Sequence, residues 1–299
     1  MQSHFGKGVL FALGAAALNA TIGVLSKVLM NSGFSSSSIA LIKTVLGCLL
    51  LSVLLMFLKR PATTAKWLPA AVCAFLGIFV LFHFETSAYS HYAAAGVVVI
   101  LMASASISSI LLGRLVLHDP ITANATVGAG LTIAGIGVIF GADLGQGFTP
   151  QGAILASIGG CGYGAFSVAM KRMGVSGGLH FTRQLLFFGS LYLLMPAATD
   201  GFILGELSLA AITALLALAA LPTILGFFCT TKAIEYLKPS QVQALELTEP
   251  LFAALLAFVM LNEVPRDTLY LGAGLILFGL CFSNELIRLG KKAPQPSGV

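Results

Sequence analysis

The sequence predicts an all-α integral membrane protein, with ten transmembrane helices forming two inverted five-helix repeats around a central cavity. Three observations predict it. The chain is 58% hydrophobic and 9% charged, with a mean hydropathy of +0.98, whereas soluble proteins carry about 25% charged residues. Its apolar runs approach the roughly 20 residues that a helix needs to cross a bilayer, and they lack the polar–apolar alternation of barrel strands. One stretch also occurs twice in the 299 residues. Leu117-His118-Asp119 leads into Gly128-Ala129-Gly130-Leu131 and Gly135, and Leu261-Asn262-Glu263 leads into Gly272-Ala273-Gly274-Leu275 and Gly279, at an offset of 144 positions. A repeat of this length in so apolar a chain points to two copies of one membrane unit.

In chain order the spans fall over 8–30, 37–58, 67–87, 93–115, 122–141, 152–170, 181–198, 208–231, 241–261 and 268–288. Connections are short. The first repeat takes residues 1–148 and the second 149–290, and the polar tail 291–299, with Pro294 and Pro296, is expected to be disordered and cytoplasmic. Lys7, the apolar run after it and Ala15-Ala16-Ala17 have the look of a cleaved leader. Yet Gly8, Ala12, Val24 and Lys27 are matched by Gly152, Ala156, Val168 and Lys171 at the repeat offset. A removable leader has no reason to echo an internal helix, so this segment reads as the first span.

Lys and Arg give the orientation, because they concentrate in cytoplasmic loops. With the N-terminus inside, thirteen of the 16 basic residues lie at cytoplasmic ends; Lys27 and Arg266 lie outside and Lys43 within the second span. Asp143, Asp200, Glu206, Glu263 and Asp267 fall outside. Both termini are then cytoplasmic. Five spans per repeat is an odd number, so the halves enter the membrane from opposite sides, an arrangement that suits alternating access to a site at their interface.

Glu249-Pro250-Leu251-Phe252-Ala253-Ala254-Leu255-Leu256-Ala257, then Leu261-Asn262-Glu263, then Gly272-Ala273-Gly274, resembles the C-terminal repeat of the drug/metabolite transporter superfamily, EamA type. Leu117-His118-Asp119 and Gly128-Ala129-Gly130 are similar to its first repeat, and Lys43 and Arg183 stand where the family often has a basic residue. The chain departs from the pattern at Ser106, which occupies the place of Pro250, and at Asp119, which replaces the commoner glutamate. The resemblance implies ten helices around a central cavity and secondary transport in a cell (inner) membrane, often the export of amino acids or other small metabolites.

Polar groups within the spans are the candidate site, since each must be paired or wetted in a medium without water. Gln243, Glu246 and Glu249 are spaced i, i+3, i+6 on one helical face. Pro250 has no N–H, so the carbonyl of Glu246 loses its helical partner. That group of atoms suits a cation, a substrate ammonium or a proton; the bland alternative is a packing kink with Glu249 bonded to a neighbouring helix. His83 and Glu85 are proton-sensitive candidates, or simply wetted groups near the outer interface. Lys43 and Arg183 either snorkel to the interface, the stronger expectation, or face the cavity as anion contacts at opposite gates. Asn19 and Tyr163 occupy matching repeat positions near mid-membrane and read as cavity lining or as helix–helix hydrogen bonds.

Other chemistries find little support. The glycine pairs lack the strand–turn–helix context of a dinucleotide loop, and GxxxxGK[ST], HExxH and GxSxG are absent. Cys48, Cys73, Cys161, Cys229 and Cys281 form no ligand cluster, so no metal, cofactor or nucleic-acid partner is expected. The expected partners are a small-molecule substrate, the lipid bilayer and protons. The leading reading is a secondary exporter of a small metabolite, an amino acid or related compound, in antiport with protons. The alternatives are an obligate exchanger of anionic sugar phosphates or nucleotide sugars, a membrane-embedded lipid enzyme, and an accessory subunit.

Overall fold

A computed structural model describes residues 2–58, 66–91, 94–141, 149–261 and 267–283. The elements are α1 (Gln2–Asn19), α2 (Ile22–Asn31), α3 (Ser36–Leu58), α4 (Trp67–Ala74), a π-helical segment Phe75–Val80, α5 (Leu81–His91), α6 (Ala94–Val116), α7 (Ala123–Phe140), α8 (Pro150–Arg172), α9 (Leu179–Thr199), α10 (Leu209–Leu218), a second π-helical segment Ala219–Gly226, α11 (Phe227–Tyr236), α12 (Pro239–Glu246), α13 (Glu249–Leu261) and α14 (Asp267–Ser283). Among the described residues there is no strand. Six helices there are long and apolar enough to cross a membrane: His4–Asn31, Ser36–Leu58, Trp67–His91, Gly96–Val116, Pro150–Arg172 and Leu209–Tyr236. Asn262, Glu263, Arg266, the loop residues 142–148 and the tail 291–299 lie outside the described residues.

Polar residues set several helix starts. Thr122 Oγ1 accepts from Ala125 N, and Thr149 Oγ1 from Gly152 N, each at 3.2 Å, with Pro150 at the first helical position of α8. Such caps satisfy N–H groups that have no intrahelical partner. The outer surface carries Leu49, Val53, Met56, Phe57, Leu191 and Met195 exposed. Patches of that kind require an apolar solvent.

The repeat is visible in the packing. α7 and α14 meet through glycines: a Cβ on Gly135 would stand 2.6 Å from Gly272 O, and one on Gly279 would stand 2.6 Å from Gly128 O. The late part of each helix therefore meets the early part of the other, so the two run antiparallel. These are repeat-equivalent pairs that put Gly128, Gly135, Gly272 and Gly279 at a close crossing, whereas a Cβ on Gly130 or Gly274 would meet nothing within 4 Å. α3 and α9 are antiparallel too. Ser35 Oγ at the start of α3 donates to Gly201 O just past the end of α9, at 3.1 Å, whereas Cys48 Sγ lies 4.0 Å from Arg183 O near the start of α9.

Both π-helical segments occupy the same place in their repeats; Phe75 and Ala219, their first residues, are 144 positions apart. Pro222 lacks the N–H that α-helical bonding needs, which accounts for the second. The first has no proline. There Gly77 lies under the Phe166 ring, where a Cβ would come within 2.6 Å of Cγ.

Two spans are interrupted. α1 gives way to α2 at Ala20-Thr21, and α12 to α13 at Leu247-Thr248. In each break a threonine hydroxyl donates to the carbonyl three residues earlier, Thr21 to Leu18 O and Thr248 to Leu245 O, both at 2.7 Å. Their repeat counterparts, α8 and α6, are continuous. These two pack closely: a Cβ on Gly164 would stand 2.5 Å from Ala105 O, and Ser108 Oγ donates to Cys161 O at 3.3 Å.

Candidate functional site

The interrupted helices bring their polar residues to the middle of the bundle. Because α12 stops at Glu246 and α13 starts at Glu249, Gln243, Glu246 and Glu249 reach the interior on either side of a turn. All three are buried. α1 presents Asn19 at its last residue, beside Gly226 where the second π-helical segment ends. α3 supplies Lys43, α5 Glu85, α8 Tyr163 and α11 Thr230.

The hydrogen bonds form short polarised chains. Thr230 Oγ1 donates its one proton to Glu246 Oε1 at 2.8 Å. The 3.0 Å contact between Tyr163 and Thr230 must then be donated by the phenol. Aligned donors of this kind strengthen one another. Gln243 Nε2 donates to Ser167 Oγ at 2.9 Å, tying α12 to α8. Tyr89 Oη donates to Glu85 Oε1 at 3.2 Å.

A cavity of about 10 Å³ lies beside these groups, lined among others by Asn19, Lys43, Glu85, Tyr163, Thr223 and Glu249. It has room for about one water. Lys43 Nζ sits 3.9 Å from the Phe82 ring centroid, within cation–π range, and has no hydrogen-bond acceptor. Asn19 Oδ1, Glu85 Oε2, Gln243 Oε1, Glu246 Oε2 and Glu249 Oε2 are likewise buried without a partner. A buried polar atom left unsatisfied costs roughly 1–3 kcal/mol, so this many together are a cost that a bound molecule, ion or proton would offset. Two carboxyl groups, Glu85 and Glu249, line the cavity with one ammonium, and any surplus negative charge needs protons or a cation.

The placement corrects several expectations. Lys43 does not snorkel; it is 0% exposed and lines the cavity. Glu85 is not a wetted group near the outer interface: it is 3% exposed and lines the same cavity. His83 stands apart, stacked on Phe79 with centroids 5.9 Å apart. Arg183 lines a different, lateral cavity with Trp67. Pro250 falls at the second residue of α13, where a missing N–H costs no intrahelical bond. Thr230, Ser167 and Tyr89 escaped the sequence reading. Ser167 and Tyr89 follow Tyr163 and Glu85 by four positions, the spacing that stacks side chains on one helical face, so two of the three carried a signal.

In a multi-pass helical membrane protein, a buried charged centre is the kind of site that membrane transporters carry. The model of the EamA-like transporter family matches twice, over residues 6–141 and 150–284, and the chain belongs to that family. It is 21% identical over 254 residues to the uncharacterized transporter YdfC of Bacillus subtilis (strain 168), covering 84% of this chain and 82% of that protein. A solved structure described only as "Crystal structure of protein" is similar in fold, with a TM-score of 0.75 at 19% identity, covering 94% of this chain and 99% of the other.

Proposed function

We propose that the protein is a secondary transporter that exports a small metabolite, an amino acid or related compound, across the cell membrane by alternating access in exchange for protons. The observation that carries the reading is the buried cluster at the helix breaks. It offers an unpaired ammonium at Lys43 and unpaired carboxyl oxygens at Glu85, Glu246 and Glu249, which complement a molecule bearing both a carboxylate and an amine. Glu246, held by the Tyr163–Thr230 chain, is the proton-coupling group of this reading.

The transport cycle needs ten spans in two inverted repeats. The antiparallel crossings of α7 with α14 and of α3 with α9 support that topology, because equivalent helices of inverted repeats run in opposite directions. Exchange of anionic sugar phosphates or nucleotide sugars fits less well. Its two expected cations, Lys43 and Arg183, line separate cavities.

The test is counterflow by the purified chain in proteoliposomes, with a panel of amino acids and other metabolites. Uptake driven by an internal load of the same zwitterion supports the reading, and activity of the chain alone rules out an accessory role. Counterflow only with phosphorylated anions would overturn it.

A further inference from the structure

A second cavity, of about 300 Å³, opens on the flank of the bundle between α3, α4 and α9. Its floor is Cys48 and Ser52 of α3, and its walls are Trp67 of α4 with Phe187 and Phe188 of α9. Trp67 is 69% exposed and Phe187 45%, and they flank the mouth; Leu49 and Val53 of α3 and Leu191 of α9 continue the apolar surface around it. Trp67 meets Phe188 edge to face, with centroids 5.6 Å apart. The mouth therefore gives onto acyl chains rather than onto the central site.

One charged residue lines this largely apolar cavity, Arg183, beside the neutral polar Ser52 and Gln184. Neither ion pair formed among the described residues involves it. An arginine keeps its charge in any environment and presents a planar fork that fits phosphate oxygens in two places at once. Left without an anion inside a membrane-facing groove, it would cost several kcal/mol. Tryptophan at such a mouth marks the headgroup level of the bilayer.

We propose that this lateral cavity binds an anionic phospholipid, with the phosphate held by Arg183 and the upper acyl chain lying along Trp67 and Phe187. Two features favour a lipid over a soluble anion. Among the described residues the mouth is bordered by exposed apolar side chains, and Trp67, Phe187 and Phe188 offer apolar wall beside the polar Ser52 and Gln184. Basic pockets between membrane helices commonly take anionic headgroups.

Trp67 is the chain's single tryptophan, so it reports on its own cavity. The experiment reconstitutes the full chain in mixed vesicles and measures Trp67 quenching by phosphatidylglycerol or phosphatidylcholine brominated near the top of the chain. The proposal expects phosphatidylglycerol to quench severalfold more strongly at equal mole fraction, with Arg183→Gln removing the preference and Arg183→Lys keeping part of it. Ser52→Trp, read by thermal stability because it adds a second indole, fills the cavity and should abolish stabilisation by phosphatidylglycerol in detergent. Equal quenching by the two lipids in the wild type overturns the proposal without recourse to any variant. So does an undiminished preference in Arg183→Gln, or stabilisation by inorganic phosphate alone, which would make the site one for a soluble anion.

Discussion

Lys27 and Lys171, equivalent residues of the two repeats, each hold the C-terminal end of a neighbouring helix. Lys171 Nζ donates to the carbonyls of Ile234, Glu235 and Leu237 at 2.9, 3.3 and 3.0 Å, where α11 ends. Lys27 Nζ donates to Tyr89 O near the end of α5. An ammonium there meets carbonyls with no intrahelical donor and the negative end of the helix dipole. The two sit at opposite ends of the bundle. Thr149, which begins α8, donates to His91 O at the end of α5 at 2.6 Å, whereas Lys171 is in the last turn of α8, roughly 30 Å away at 1.5 Å per residue. This also explains why Lys27 is an exception to the charge bias of the loops: it is a structural cap.

Lys171→Met should lower stability by about 1–2 kcal/mol, the scale of losing partly exposed hydrogen bonds from a charged donor. Lys27→Met should act in the same direction and less strongly, since it loses one carbonyl contact where Lys171 loses three. Thermal unfolding in detergent measures both. Wild-type stability in the two variants would remove the capping role.

Glu246→Gln should leave the protein folded and uncouple it from the proton gradient. On the proposed exchange, wild-type export should accelerate when the outer face is acidified, because protons entering from that face would drive substrate out. In Glu246→Gln the rate should no longer respond to the gradient, while counterflow without a gradient persists. Thr230→Val, which cuts the chain from Tyr163, should weaken the same response by roughly tenfold, given about 1.5–3 kcal/mol for a hydrogen bond to a charged group. A proton response in Glu246→Gln equal to wild type would assign coupling elsewhere, with Glu249 and Glu85 as the next groups to test.

Lys43→Met should weaken a carboxylate-bearing substrate by at least about tenfold, on the same scale for a charged hydrogen bond, and spare the corresponding amine that lacks the carboxylate. Competition of the two compounds in counterflow separates these effects. A uniform loss for both would mean that Lys43 neutralises the cluster and does not touch substrate.

The α7–α14 seam makes a steric prediction. Gly135→Leu and Gly279→Leu should each destabilise by about 1–3 kcal/mol or more, because overpacking a close contact forces the backbones apart. Gly130→Ala should be tolerated, since a Cβ there meets nothing within 4 Å. The seam would have to be reassigned if Gly130→Ala proved the most harmful of the three.

Topology is open to a direct check. A reporter inserted between Gly145 and Pro150 should be extracytoplasmic. A cytoplasmic signal would remove the ten-span count and the inversion together.

Helix positions were legible in the sequence because apolar length alone marks them, and the repeat was legible in the doubled glycines, although only Gly128, Gly135, Gly272 and Gly279 of them meet at the α7–α14 crossing. The direction in which a charged side chain points was not. Lys43 and Glu85 lie near the ends of their spans, where snorkelling is the ordinary outcome, and only the neighbouring helices show that both turn inward. Pro250 flagged irregular backbone in α12–α13. Nothing local flagged the break after Asn19 or the π-helical turn at Phe75–Val80. The first rests on a threonine turn, and at the second Gly77 meets the Phe166 ring of another helix, a contact that no local pattern carries.

The breaks at Thr21 and Thr248 have no partners in α8 and α6, and this inequality has a dynamic consequence. If the two halves were mechanically identical, the inward-open and outward-open forms would be mirror images in energy, and an empty carrier would occupy them equally. Here one crossing pair is broken and the other continuous, so under the proposed cycle the two forms should differ in free energy. Under the alternating access proposed above, the empty carrier should therefore rest mainly on one side at zero gradient, and the two halves of the cycle should differ in rate.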